Sequence, residues 1–210
     1  MTRQAVWQVL LSPHDAFGYV QHDDDYSFLL TTRHDRTIGA TTEHGRYNLD
    51  GQNILLEMYH LATIFYASKP LSELTNLDPK FKDPIGDMME LCETTEAYRA
   101  LLNVAIRIRI VLDWYQTHAA YYLKKAAVPV GTITWTTTKK REDLSLREAC
   151  NKIIHARSAD FHYESSHEHR RSALLPEVTL VGVRDSKEWR ATLQISEFLY
   201  HGFFLANYMR

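Results

Sequence analysis

Apolar residues recur at helical spacing over residues 52–67. Ile54, Leu55, Met58, Leu61, Ala62, Phe65 and Tyr66 trace an i, i+3/i+4, i+7 stripe, the pattern of a helix that buries one face. Asp50 can cap its start. Pro70 is expected to stop it after Lys69, because proline has no N–H to donate and its ring crowds the preceding turn. The stretch from Ser72 to Pro84, which also holds Pro79, reads as a loop with at most one helical turn. Helical spacing returns over 88–125 through Tyr98, Leu101, Leu102, Ala105, Ile108, Leu112, Tyr115, Ala119 and Tyr122, as one long helix or as two joined near Glu93-Thr94-Thr95. Ile106 and Ile110 widen its apolar surface, which suits a central bundle helix or one that also meets a second chain. Arg107 and Arg109 cannot both lie unpaired in a core.

The period then changes from 3.6 to 2. Gly131 to Thr137 alternates Thr with Ile133 and Trp135, as a half-buried strand does. A helix is predicted over 146–157, and the polar, histidine-rich residues 158–173 read as a loop. Val178 to Val183 reads as a strand, 184–188 as a turn, and Trp189, Ala191, Leu193 and Ile195 alternate with polar residues as the second strand of a hairpin. Ser196 can cap a final helix to about Tyr208, with Phe198, Leu199, Gly202, Phe203 and Ala206 inward. Residues 1–49 suggest loops with one or two short strands, Tyr26 to Thr32 among them. The fold class is therefore α+β, mainly a helical bundle with a small antiparallel sheet that includes a hairpin in the C-terminal half. The 210 residues suit a single domain, 1–210. Phe65, Leu102, Leu112, Ile153 and Phe203 are expected among the buried residues.

Charge sharpens this picture in one place. The chain carries a net charge of −2, but Lys124 to Arg157 holds eight Lys/Arg against three Asp/Glu, a local +5 that leaves −7 for the rest. The segment is either a solvated basic face or a site for phosphate groups, with Lys139, Lys140, Arg141 and Arg157 as RNA-contacting candidates. The apolar runs are too short to span a bilayer, and Met1-Thr2-Arg3-Gln4 does not open a secretory signal. Cys92 and Cys150 are the only cysteines. They fall on separate predicted helices, which suits a cytoplasmic protein with two free, largely buried thiols.

The basic segment contains the helix on which candidate chemistry concentrates. Ser145 and Glu148 form a Ser-x-x-Glu capping box: the Ser145 hydroxyl accepts from the Glu148 N–H, and the Glu148 carboxylate can reach back to the Ser145 N–H. Leu146, Ala149, Cys150, Ile153 and Ile154 share one face. Arg147, Asn151 and His155, four apart, form a polar ridge beside it, and His155 points almost away from the apolar face. The Asn151 to His155 stretch resembles the HEPN family of helical-bundle proteins. Their motif is an arginine, four to six residues, then a histidine, often with a polar residue directly after the arginine. Asn151 fits the polar position and His155 the histidine, while Cys150 stands where the arginine belongs. The resemblance implies a homodimer in which two motifs line a cleft, and either metal-independent RNA cleavage or a binding role in members lacking the active residues. Many members serve toxin–antitoxin or anti-phage systems.

RNA cleavage through the 2′-OH needs groups to take and give protons, for which histidine suits, and a cation to offset charge growing on the phosphate. A thiol cannot supply that cation. Arg147, about 12 Å up the helix from His155 at 1.5 Å per residue, or Lys152 could. Otherwise His155 caps carbonyls at the helix end. His162, His167 and His169, with Asp160 and Glu164, invite a metal reading, but their spacing matches no closed site. Like His22-Asp23-Asp24-Asp25, they read as solvated loop, so no metal and no cofactor is expected. No glycine-rich phosphate loop, Gly-x-Ser-x-Gly or Cys-x-x-Cys occurs, which argues against P-loop hydrolases, esterases and zinc modules. Two functions remain: a degenerate, non-catalytic module binding RNA or a protein partner, and a ribonuclease with His155 as acid/base, Asn151 orienting and Arg147 or Lys152 balancing charge.

Overall fold

The computed structural model describes residues 38–42, 45–49, 51–76, 78, 82–114, 124, 126–164 and 171–208. The expected strand at 26–32, the Asp50 cap, His22 to Asp25, residues 115–123 of the long helix, His167 and His169 lie outside them. A two-stranded antiparallel hairpin, β1 (Ile38–Thr42) and β2 (Gly45–Leu49), precedes the rest.

Two helices follow, and prolines place their ends differently from the periodicity. Helix α1 is Gly51–Ser72 and continues through Pro70. Pro70 and Tyr66, the residue whose carbonyl it leaves without a donor, are both exposed, so water can satisfy that oxygen. Helix α2 is Pro84–Trp114 and is unbroken at Thr94-Thr95. It starts four residues earlier than the apolar stripe, because Asp83 caps it: Asp83 Oδ1 accepts from Gly86 N at 3.0 Å. Pro84 occupies the first helical position, where its missing N–H costs nothing.

The remaining elements are β3 (Pro129–Trp135), β4 (Arg141–Ser145), α3 (Leu146–Ile154), β5 (Ser158–Tyr163), β6 (Leu174–Arg184), β7 (Lys187–Gln194) and α4 (Ile195–Tyr208). The five strands form one antiparallel sheet in the order β4-β3-β7-β6-β5. The class is α+β, and the sheet is a full layer against which α1, α3 and α4 pack, rather than a small appendage to a bundle. Two strands went unpredicted. β4 buries only Leu144, so an edge strand of Arg-Glu-Asp-Leu-Ser has no alternation to show. β5, read as loop, turns Ala159 and Phe161 toward the core between polar residues. The hairpin turn narrows to Asp185 and Ser186, both at positive φ (49° and 61°), as two-residue turns matched to strand twist require.

Phe65, Leu112 and Ile153 are buried, Leu102 is partly so, and Phe203 is 46% exposed. The last is a correction with a visible cause. Gly202 holds the inward position: a Cβ there would lie 2.8 Å from Ile108 Cδ1 and 3.0 Å from Met58 Cε. Phe198, Gly202, Leu205 and Ala206 face in, which leaves Phe203 a residue-step of about 100° away. Cys150 is buried, but Cys92 is exposed.

Where β5 ends, Glu93 of α2 is half-buried against Ser68 and Tyr163. Burial raises its carboxyl pKa above the usual value, partly offset by hydrogen bonds from those two hydroxyls. A carboxyl raised on folding contributes stability at low pH and loses it as pH rises through the folded value. Glu93→Gln should therefore raise the urea midpoint at pH 7, and the gain should vanish below about pH 4, where both forms are neutral. A gain that is the same at both pH values would mean that the carboxylate is not destabilised by burial.

Candidate functional site

Helix α3 is built as its sequence suggests at the N-terminus. Ser145 is the N-cap, with φ −67° and ψ 157°, and its Oγ accepts from Glu148 N at 3.3 Å. Leu146, Ala149, Cys150 and Ile153 are all buried. Burial pushes the Cys150 thiol far above the ordinary range, the nearby Arg109 charge pulling only partly the other way. The residue at the motif's arginine position is thus a neutral, enclosed thiol.

The Glu148 carboxylate points along the helix, away from its cap. Its Oε1 lies 3.1 Å from Lys152 Nζ, and Oε2 accepts from Asn151 Nδ2 at 3.2 Å. Asn151 Oδ1 accepts in turn from Arg109 Nε of α2 at 2.7 Å. Arg109 and Arg147 share the Asp113 carboxylate, and Arg147 also donates to the Leu112 carbonyl at 3.4 Å. One polar chain therefore runs from Lys152 through Glu148, Asn151, Arg109 and Asp113 to Arg147. It satisfies the need of Arg109 for a partner, and it turns Arg147 toward α2 rather than along the ridge to His155.

Lys152 is only 3% exposed. Its Nζ sits 5.0 Å from the Trp135 ring centroid and 4.5 Å from that of Trp189, two residues paired across β3 and β7. Two indole faces and one carboxylate offset the desolvation that makes a buried lysine costly. The charge is used inside the protein. Helical phase alone did not show this, since the position reads as the polar shoulder of the helix.

α3 ends at His155, the C-cap (φ −108°, ψ 12°), so it is shorter than the expected 146–157. The His155 N–H donates to the Asn151 carbonyl at 3.0 Å. Its imidazole is exposed and has no hydrogen-bond partner among the described residues. It lines a cleft of about 510 Å³ with Glu148, Asn151, Lys152, Val183, Arg184 and Trp189. Arg184, 64% exposed and 3.8 Å from Asp185, is the cation that sequence reading missed. It sits at a predicted turn, and nothing in its neighbours signals that the strand end passes the helix end.

The RNA-contacting candidates divide. Strands β3 and β6 both run toward the end of the sheet where α3 stops, so the turns 136–140 and 185–186 lie together there. Lys139, at φ 52°, and Lys140 are exposed in the first turn, and Arg141 is exposed at the start of β4. Lys140 pairs with Glu142 at 2.9 Å, and with it lines a second cleft that Arg184 shares. Arg157 lies by the other edge strand, about 19 Å across by strand spacing, where its N–H donates to Val181 O at 2.8 Å. It faces a separate cleft with Thr94, Thr95 and Tyr98 of α2. Of the suspected metal cluster, His162 bonds Thr179 at 2.8 Å and Glu164 pairs with Lys69 at 3.1 Å. Among the described residues no helix is long and apolar enough to cross a membrane.

The site stands on its own geometry: no family model, curated protein or solved structure matches the chain.

Proposed function

We propose that this chain binds RNA without cutting it, as a degenerate module of HEPN-like type, through the end of the sheet where His155 emerges. The observation that supports this most is the shared cleft: Asn151 and His155 line it together with Arg184, beside a turn that carries Lys139 and Lys140 and leads into Arg141 of β4. A cluster of lysines and arginines at one end of a sheet suits a phosphate backbone. The same geometry weighs against catalysis. Cleavage needs a cation free to meet the phosphate, yet Lys152 is held by Glu148 and two indoles, Arg147 by Asp113, and Cys150 is neutral. A ribonuclease reading keeps one favourable observation, the exposed His155 within reach of the cleft that Arg184 lines.

The test is anisotropy of a labelled single-stranded RNA at two salt concentrations, alongside a cleavage assay with EDTA. Binding should weaken as salt rises, Arg184→Ala should weaken it further, and the RNA should stay intact. Cleavage that His155→Ala reduces by roughly 100-fold or more would establish the ribonuclease instead, and no binding at low salt would end the RNA reading. In either case His155→Ala should cost less than about 1 kcal/mol in a urea melt, because the side chain is exposed and unbonded. A larger loss would make His155 a structural residue.

A further inference from the structure

Between the two hairpin turns, Trp135 lines a cleft of about 380 Å³ together with Thr137, Lys140, Glu142, Arg184, Asp185 and Lys187. We infer that this cleft is a stacking subsite for an unpaired nucleobase, which makes the site selective for single-stranded over duplex RNA; the inference rests on the RNA reading above.

Three features carry it. First, the indole is fixed in place. Trp135 is the last residue of β3, opposite the buried Trp189, and Lys152 Nζ lies over its ring at 5.0 Å. A flat apolar surface already immobilised gives up little further entropy when a ligand stacks on it. Trp135 is only partly buried, so part of the ring remains open to the cleft. Second, the charges are nearly balanced. Lys140 pairs with Glu142 at 2.9 Å, Arg184 makes only a long, solvent-exposed pair with Asp185 at 3.8 Å, and Lys187 has no ion-pair partner among the described residues. Three cations against two carboxylates attract a phosphate weakly, so the aromatic wall must supply much of the affinity. Base–aromatic stacking is the interaction that does so without reading sequence. Third, the cleft is adjacent to the His155 cleft, since Arg184 lines both. A single strand can lay a base on Trp135 while its backbone passes Arg184 toward His155. A duplex keeps its base faces stacked inside the helix and has none to offer.

The experiment compares three labelled probes of equal length by anisotropy: oligoadenylate, an abasic phosphodiester oligomer and a blunt RNA duplex. Wild type should bind oligoadenylate roughly 10-fold more tightly than the abasic oligomer, and the duplex no better than the abasic oligomer. Trp135→Leu should abolish that preference, and Trp135→Phe, which keeps an aromatic face, should retain most of it. Equal binding of oligoadenylate and abasic oligomer by wild type, or an undiminished preference in folded Trp135→Leu, overturns the inference while leaving RNA binding in place. Should Trp135→Leu fail to fold, Trp135→Phe and quenching of tryptophan fluorescence by adenosine monophosphate decide: no quenching at millimolar nucleotide overturns it. Quenching by the nucleotide with no binding of any RNA would sink the RNA reading and keep the stacking site.

Discussion

Lys152→Ala should cost about 3 kcal/mol of folding stability, read as a fall in the urea midpoint at unchanged slope. Two terms make up most of this. Truncating a buried side chain as long as Lys or Met leaves a cavity and typically costs about 2–5 kcal/mol. Losing the ammonium from between two indoles removes a cation–π interaction of about 0.5–2 kcal/mol. The stranded carboxylate adds less, because the Glu148 side chain is 34% exposed and water can take over from the lysine. Lys152→Met separates the terms. It keeps the stem and discards the charge, and replacing a buried ion pair by a well-packed apolar group is often close to neutral, so a loss of only about 1 kcal/mol is expected. RNA affinity of Lys152→Met should stay within about twofold of wild type, since a charge satisfied internally has little left for a phosphate. If Lys152→Ala melts like wild type while RNA binding collapses, the ammonium is a ligand-binding group and the account of the site must be reversed.

That residue also shows what the chain discloses in one dimension. Periodicity placed every main helix of the described residues, because a 3.6-residue stripe records burial along a single element. The Ser145 half of the capping box was legible for the same reason, both partners lying within one turn, but the Glu148 carboxylate turns instead to Lys152 and Asn151. Contacts made between elements were not. Lys152 has a polar residue's position on the helix wheel, and only the pairing of β3 with β7 beneath it supplies the indoles that bury it. Asn151 and His155 were correctly placed on one side of α3, but Arg147, four residues earlier on the same ridge, is drawn off by Asp113 of α2. Arg184 could be found only by knowing which strand end passes the helix terminus. Strand β5 was hidden because its two inward residues, Ala159 and Phe161, are set among His, Asp and Ser, which is turn-like composition. Pro84 illustrates the reverse error: a helix breaker inside a helix is a helix starter at its first position.

Gly182→Ala should be nearly as damaging as Lys152→Ala, through the same indole. Gly182 pairs with Trp189 across β6 and β7, and the tryptophan ring lies against the glycine. A Cβ at 182 would come within 2.2 Å of Trp189 Cζ2 and 2.7 Å of Cε2, far inside van der Waals contact. The ring has nowhere to go: Trp189 is 1% exposed and Lys152 Nζ sits 4.5 Å from its centroid. Either the strand or the indole must shift, and overpacking of this kind costs about 1–3 kcal/mol, with the upper end expected for a rigid ring. Gly202→Ala provides the control. Its Cβ would meet the Ile108 Cδ1 and Met58 Cε ends at 2.8 and 3.0 Å, flexible tips that can move a few tenths of an ångström, so a loss of about 1 kcal/mol or less follows. The near-ultraviolet circular dichroism of Gly182→Ala should change as Trp189 is displaced, and that of Gly202→Ala should not. Because Gly182 stands two residues before Arg184, the displaced strand should also carry that guanidinium away from His155, so Gly182→Ala should weaken RNA binding under conditions where it is still folded. Equal urea midpoints for the two alanine variants would show that Trp189 is free to move and that the indole does not hold this end of the sheet together.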